Sequence, residues 1–261
     1  MIDVRHVTKS HPLRRSPKSK ESFVSVNDVS FSLLENTSYA LVGESGSGKS
    51  TLAQMLAAIL PPTDGEILFD GNNIWTLSPK ALRLMHGDIQ LVLQNSQGAL
   101  DPRRRIYESI AEPLRKLRRL TRQEEQHAVH DILHKVQLPD EVLMRYPHEL
   151  SGGQQSRVCI ARAMALAPRL VIFDESVSGL DVTVQKKVLD LLLDLRQAYQ
   201  SSFLFITHDI DAALYMADHI FVMKEGKIVE SLADAHGYDD FTHPYSRELI
   251  ASLPPKTPYH R

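Results

Sequence analysis

The chain has 261 residues, 43% of them hydrophobic, enough to bury a substantial core in one large domain or a domain with subdomains. Lys plus Arg number 30 against 32 Asp plus Glu, and the net charge of −2 excludes any general pull toward nucleic acid or anionic membrane surfaces. One cysteine, Cys159, excludes an internal disulfide and any multi-cysteine zinc or iron–sulfur site; set among Val158, Ile160 and Ala161, it reads as a small core residue.

Residues 2–8 and 24–33 alternate apolar and polar side chains as half-buried strands do, and the basic, proline-containing SHPLRRSPKSKES between them reads as an exposed loop. The first residues, MIDVRHVTKS, lack the apolar core of a secretion signal, and no run approaches about 18 apolar residues, so the chain is expected in the cytosol. The apolar stretch Tyr39 to Val42 leads into GESGSGKST at 43–51 and then a helix-like run, Leu52 to Leu60. This is the P-loop pattern in its strand–loop–helix context. Gly43, Gly46 and Gly48 open backbone conformations closed to residues with a Cβ, so that N–H groups from Glu44, Ser45 and Ser47 onward can turn toward a phosphate. The helix beginning near Lys49 aims the free N–H groups of its first turn, Ser50 and Thr51 included, at the same phosphates. Lys49 adds a cation for the β- and γ-phosphates and the Ser50 hydroxyl a ligand for magnesium, which makes a nucleoside triphosphate the expected ligand.

Residues 65–70 and 89–93 read as further strands, the second apolar enough to be covered on both faces. From about Ile106 to Leu166 the pattern is helical: Thr121 with Glu124 makes a capping box, and Val129, Ile132, Leu133 and Val136 follow at helical spacing. Strands return at Leu170–Phe173 and Phe203–Ile206, separated by a helix with the apolar stripe Val184, Val188, Leu191, Leu192 and Leu195. Strand, helix, strand in this order predicts a parallel sheet of βαβ units. The first of these strands ends in Asp174 and Glu175, at the carboxyl edge where open α/β sheets bind ligands. Asp174 fits magnesium, directly or through water, and Glu175 fits a general base that polarises water in line with the γ-phosphate. The tail from about Asp234 holds one short helix with a proline in its first turn, THPYSRELIASLP.

LSGGQ at 150–154, some twenty residues before the Asp174 strand, resembles the signature motif of ABC-type ATPases. Ser151, Gly152, Gly153 and Gln154 open a predicted helix running to about Ala167, a second phosphate-suited helix N-terminus in one chain. In the family that signature closes over the nucleotide held by another subunit's P-loop, so the resemblance implies a head-to-tail dimer with ATP at the interface. It also implies that Gln94 is the Q-loop glutamine touching magnesium, His208 the switch histidine at the γ-phosphate, and Ser178 to Asp181 the D-loop. At the position where an aromatic residue usually stacks on adenine, this chain has His11. Asp101, Ser156 and Ser176 replace residues more common in the family, Asn, Gln and Pro, without removing a phosphate or metal contact.

The fold implied is α/β, a P-loop NTPase of the ABC ATPase type: a mostly parallel core sheet, an N-terminal antiparallel β subdomain and an inserted helical subdomain. Its expected limits are 1–93 with 169–233 for the core, 94–168 for the helical subdomain and 234–261 for the tail. LVLQNSQGALDPR at 91–103 and HPYSRELIASLP at 243–254 look like the importer branch for peptides, nickel and metal–chelator complexes. The absence of any cysteine after Cys159 rules out the iron–sulfur tail of some members. The resemblance therefore implies ATP and Mg2+, a second ABC ATPase subunit (a paralogue or a second copy), two transmembrane permease subunits and, indirectly, an extracytoplasmic binding protein, at the cytoplasmic face of the inner membrane. Nucleic acid is not an expected partner, because Glu108, Glu112, Glu124 and Glu125 are interspersed among the arginines of 103–122. The alternatives are a soluble ABC ATPase acting on nucleic acid or the ribosome, which usually carries coiled-coil insertions or tandem cassettes, and an inactive regulatory subunit, which the intact Lys49, Asp174, Glu175 and His208 oppose. His127, His130 and His134 share a helical face, and without a carboxylate or cysteine at matching spacing they read as a solvated stripe.

Overall fold

A computed structural model describes residues 1–12, 22–93, 96–176 and 182–253. The elements follow in chain order: β1 (Ile2–Pro12), β2 (Ser22–Leu33), β3 (Ser38–Val42), α1 (Lys49–Leu56), β4 (Asp64–Phe69), β5 (Asn72–Asn73), α2 (Pro79–Asp88), β6 (Ile89–Val92), α3 (Ser96–Ala99), α4 (Ile106–Leu117), α5 (Arg122–Lys135), α6 (Gly152–Met164), β7 (Leu170–Asp174), α7 (Val182–Tyr199), β8 (Ser202–Thr207), α8 (Ile210–Met216), β9 (His219–Lys224), β10 (Lys227–Ala233) and α9 (Pro244–Ala251). They fall into two compact units, Met1–Ser78 with Leu204–Arg261, and Pro79–Phe203. The second unit is wider than the 94–168 helical segment expected from the sequence, because α2, β6, β7 and α7 cluster with the helices.

In the first unit, β1 pairs antiparallel with β2 and with β4, and β4 turns back into β5. This is the antiparallel β subdomain that the family resemblance implies, built on the two strands read from the alternating N-terminal pattern. Ile2, Val4, Val7, Val26, Val29 and Leu33 are its buried face; the alternation changes parity between Val4 and Val7 and between Val26 and Val29, where the register shifts and His6 and Asp28 take left-handed φ of 49° and 53°. The same unit holds β3 parallel to β9, with β9 antiparallel to β10. All residues of β3 are buried, as a strand covered on both faces requires. The predicted helix 52–60 stops at Leu56: Ala58 takes a left-handed φ of 53°, and the Ile59 N–H bonds back to the Gln54 carbonyl at 2.9 Å, a Schellman-type ending ahead of Pro61 and Pro62.

In the second unit, β6 and β7 run parallel. The long helical reading of 106–166 resolves into three helices: α4 and α5 part at residues 118–121, and two 3-10 turns, Asp140–Met144 and Pro147–Glu149, separate α5 from α6. A proline stands at each of these two turns, Pro139 before the first and Pro147 opening the second, and neither can donate the N–H a continuous helix needs. The predicted Thr121–Glu124 capping box is present at the start of α5. Val129, Ile132 and Leu133 of α5 are buried, as are Val188, Leu191, Leu192 and Leu195 of α7. Phe173 and Phe203 meet edge to face at 5.1 Å. Cys159 is buried, and that burial raises its thiol pKa, the state of an unreactive core cysteine. Among the described residues no helix is long and apolar enough to cross a membrane.

Candidate nucleotide site

The P-loop of the first unit follows a buried strand and precedes α1, and its shape is held from within and from outside. The Lys49 ammonium, only 4% exposed, donates to the Gly43 and Glu44 carbonyls at 2.7 and 2.8 Å, drawing the loop around its own cation. Gly43 and Gly48 have φ of +155° and +109°, and a Cβ at either would lie 2.2 Å from the Met223 carbonyl oxygen or 2.1 Å from that of Ser25. Only glycine fits there. The Gly226 N–H, in the turn between β9 and β10, donates to the Ser47 carbonyl at 2.9 Å, and the Tyr245 hydroxyl on α9 accepts from the Glu44 N–H at 3.2 Å. Ser45 and Gly46 form the exposed tip, Ser47 is buried, and Ser50 and Thr51 open α1 with Ser50 exposed.

His11, in β1, lies beside this loop through one intermediary: its Nε2 is 2.9 Å from the Ser25 hydroxyl, and it is the Ser25 carbonyl that Gly48 must clear. The half-buried imidazole is thereby oriented by β2. His208 follows β8 and is exposed, and the next residue, Asp209, caps α8 by accepting from the Ala212 N–H at 3.2 Å. That cap fixes the turn from which His208 projects.

In the second unit, β7 delivers a buried Asp174, and the chain then turns sharply because Glu175 adopts a left-handed φ of 46°. Non-glycine residues take that conformation infrequently, and here it ends the strand at the junction of the two adjacent carboxylates. Ser151 caps α6: its hydroxyl accepts from the Gln154 N–H at 3.3 Å, and Gln154 Oε1 accepts from the Ser151 N–H at 3.0 Å. The reciprocal box fixes the first turn, and Gly152 adds no side chain of its own at a position where a Cβ would stand in open space. Gly153 is tighter, 3.2 Å from a Val184 methyl by the same test. Two departures from the family pattern meet here, since the Ser156 hydroxyl reaches toward the Ser176 carbonyl at 3.4 Å and so ties α6 to the turn after Glu175. Gln94, Asp181 and the rest of the 178–181 segment lie outside the described residues.

Each unit thus presents its share of the sequence-predicted set: Gly43–Thr51, His11 and His208 in one, Asp174, Glu175 and Ser151–Gln154 in the other. Sequence reasoning missed Ser25, Tyr245 and the Gly226 turn as supports of the P-loop. Tyr245 lies 201 residues from its partner, a separation that no local pattern bridges. The residues fit a nucleoside triphosphate by the chemistry of the donor set, a buried ammonium inside a glycine-built loop at a helix N-terminus.

Fold and site together define a P-loop cassette with the two-part architecture of an ABC ATPase. Residues 26–178 match the family described as ABC transporter, and the chain belongs to that family. Its backbone is similar to the dimeric ATP-binding cassette MJ0796 in a post-hydrolysis state bound to ADP and Pi, with a TM-score of 0.80 and 28% identity over 90% of this chain and 99% of that one. It is also similar to cbiO1 from Clostridium perfringens, part of the ABC transporter complex cbiONQ, with a TM-score of 0.76 and 25% identity over 96% and 90% of the two chains. In sequence it is 40% identical, over 260 residues, to the glutathione import ATP-binding protein GsiA of Escherichia coli strain K12, an alignment that takes in 99% of this chain and 42% of that protein. The Shigella dysenteriae serotype 1 protein of the same name is 42% identical over 233 residues, 89% and 37% of the two. The chain spans about two fifths of the length of these curated relatives.

Proposed function

We propose that this chain is the ATP-hydrolysing subunit of a membrane importer, working as one of a pair of ATPase subunits beneath two permeases at the cytoplasmic face of the inner membrane. The observation that carries the proposal is the presence of two phosphate-suited helix N-termini in one chain, α1 behind the P-loop and α6 behind Ser151–Gln154. A single γ-phosphate bound to one chain has no use for both. A second subunit, a copy or a paralogue, gives the second one its role, each chain's Ser151, Gly152 and Gly153 closing over the nucleotide in its partner's P-loop.

The P-loop N–H groups and Lys49 bind the phosphates, and His11 packs against the base. Ser50, Asp174 and Gln94 would hold magnesium, which supplies charge neutralisation between the β- and γ-phosphates. Glu175 orients and polarises a water in line with the γ-phosphate, and His208 holds the γ-phosphate from the other side; Asp181 crosses to the partner subunit. The buried setting of Asp174 keeps it a positioned ligand, and the left-handed φ of Glu175 turns the chain at the strand end where the attacking water would be oriented. Rotation of the helical segment, about 94–168, on binding of the γ-phosphate moves the permease. A cavity of about 560 Å³ in the second unit, lined by Pro79, Leu82, Arg83, Gln90, Glu112 and Lys116 among others, supports a permease contact close in sequence to Gln94.

The cargo reading, peptides or nickel and metal–chelator complexes, rests on residues 91–103 and 243–254 and is supported on the peptide side by relatives named for import of glutathione, a tripeptide. Nucleic acid is not among the proposed partners: Arg103 and Arg104 pair with Asp101, Arg104 and Lys116 with Glu112, and Arg115 with Glu108 and Glu125, so much of the basic run is already neutralised. The experiment is purification of the tagged chain from its native membrane in mild detergent. Two polytopic permeases and a second ATPase subunit are expected. Recovery with ribosomes or DNA instead would leave the ATPase chemistry and remove the transport assignment.

A further inference from the structure

Helix α5 carries His130 and His134 one turn apart, and the chain then reverses at Gln137, whose φ is 56°, to bring Asp140 back beside them. His130 Nδ1 and His134 Nε2 each lie 2.9 Å from the same Asp140 Oδ1. The three candidate ligand atoms lie within 4.8 Å of one another. The carboxylate missing from the histidine stripe in the sequence is therefore supplied from outside the helix. Neighbouring charges are engaged elsewhere, Lys135 with Asp131 at 2.8 Å and Glu141 with Arg145 at 2.9 Å.

We propose that His130, His134 and Asp140 form a surface site for a borderline divalent cation of the zinc or nickel class. Two imidazoles and one carboxylate are a donor set for such ions, whereas magnesium and calcium require shells dominated by oxygen. Three protein ligands leave a fourth tetrahedral position for water. Metal–ligand bonds of about 2.0–2.1 Å put tetrahedral ligand atoms about 3.3 Å apart, so an entering ion opens each 2.9 Å contact by about 0.4 Å. Exposed side chains make that adjustment freely: His130, His134 and Asp140 are 44%, 60% and 55% exposed. The carbonyl end of α5, where the helix dipole favours positive charge, lies at the same place. An ion bound there fastens the last turn of α5 to the Asp140–Met144 turn. The assignment is independent of the transport proposal.

The test uses the full chain, free of nucleotide and with magnesium in excess to occupy hard-cation positions. Cobalt(II) is the spectroscopic probe and zinc the competitor, with uptake measured by equilibrium dialysis. One ion per chain is expected, with visible cobalt bands displaced by zinc. H134A and D140N should each weaken zinc binding by about tenfold or more, and H127A, which alters the same helix face outside the triad, should leave it unchanged. D140N preserves side-chain shape, and circular dichroism reports whether each variant is folded. No cobalt spectrum at tenfold excess overturns the site, as does equal zinc binding by the wild type, H134A and D140N, or loss in H127A alone.

Discussion

Glu175 and Asp174 are adjacent in sequence and opposite in setting, one half-buried after a left-handed turn, the other 6% exposed at a strand end. If Glu175 is the base, Glu175→Gln keeps the shape and the hydrogen-bonding capacity while removing the charge that polarises water. Nucleotide binding should persist and turnover should fall by about 10²–10⁴-fold, checked by equilibrium binding alongside single-turnover hydrolysis. Unchanged turnover would transfer the role to another residue. Gly48 makes a second argument at this scale. With φ of +109° and a Cβ that would meet the Ser25 carbonyl at 2.1 Å, Gly48→Ala has to displace β2 or reshape the loop. The substitution should lower stability by about 1–3 kcal/mol and weaken nucleotide binding, seen as a lower Tm together with a higher Kd. The glycines of this loop were legible in the sequence because phosphate chemistry fixes both their type and their spacing. Their partners, the Ser25 and Met223 carbonyls, were not, because backbone atoms carry no sequence signal.

At the scale of elements, α9 supports the P-loop through one hydroxyl. Tyr245 is 4% exposed, accepts from the Glu44 N–H at 3.2 Å, and has the Lys224 ammonium 4.4 Å from its ring centroid. Burial raises its pKa, so the hydroxyl stays neutral across the physiological range. Tyr245→Phe leaves the ring and removes the acceptor. Nucleotide Kd should rise by about 2- to 10-fold, the worth of one hydrogen bond, with little change in Tm; an unchanged Kd would confine α9 to a packing role. A second element contact links α4 to α5. Glu125, 9% exposed, accepts from Arg115 Nε and an Arg115 terminal nitrogen at 2.7 Å and from the Tyr107 hydroxyl at 2.9 Å. The Arg115 bonds hold its carboxyl below the ordinary range. Stability from this group is complete above the unfolded value of about 4.3 and is lost as pH falls through the lower folded value. Glu125→Gln should cost about 1–3 kcal/mol at pH 7 and flatten the acid limb of a stability–pH curve measured by urea unfolding.

Elements with strong periodicity or caps, β1 through β4, α5 and α7, were readable from sequence within a few residues. The β9–β10 hairpin is absent from the strands read above, although Glu225–Gly226, with φ of 48° and 81°, is the paired positive-φ turn that closes two-residue hairpins. Its signal was local and present. The Asp140 carboxylate was a different matter, since no helical spacing places a residue beyond a turn back onto the face it left.

For the whole molecule, the consequence of the proposal lies in what one subunit lacks. If α6 of one subunit completes the site at the P-loop of another, Lys49→Ala and Gly153→Asp damage opposite halves of each composite site. The first removes the buried ammonium; the second puts a carboxylate at the helix N-terminus where the γ-phosphate should sit, next to a Val184 methyl that already leaves a Cβ only 3.2 Å. Each variant alone should be inactive, because every site in a self-paired assembly carries the lesion. Mixed in equal amounts, chains that self-pair should regain about a quarter of wild-type hydrolysis, half the dimers being mixed and each of those holding one site with neither lesion. Rescue that requires co-expression with a separate ATPase chain would identify a paralogous partner and keep the composite site. Full activity of the wild-type chain at dilutions where it sediments as a monomer would contradict it, since the second helix N-terminus would then have no role in hydrolysis.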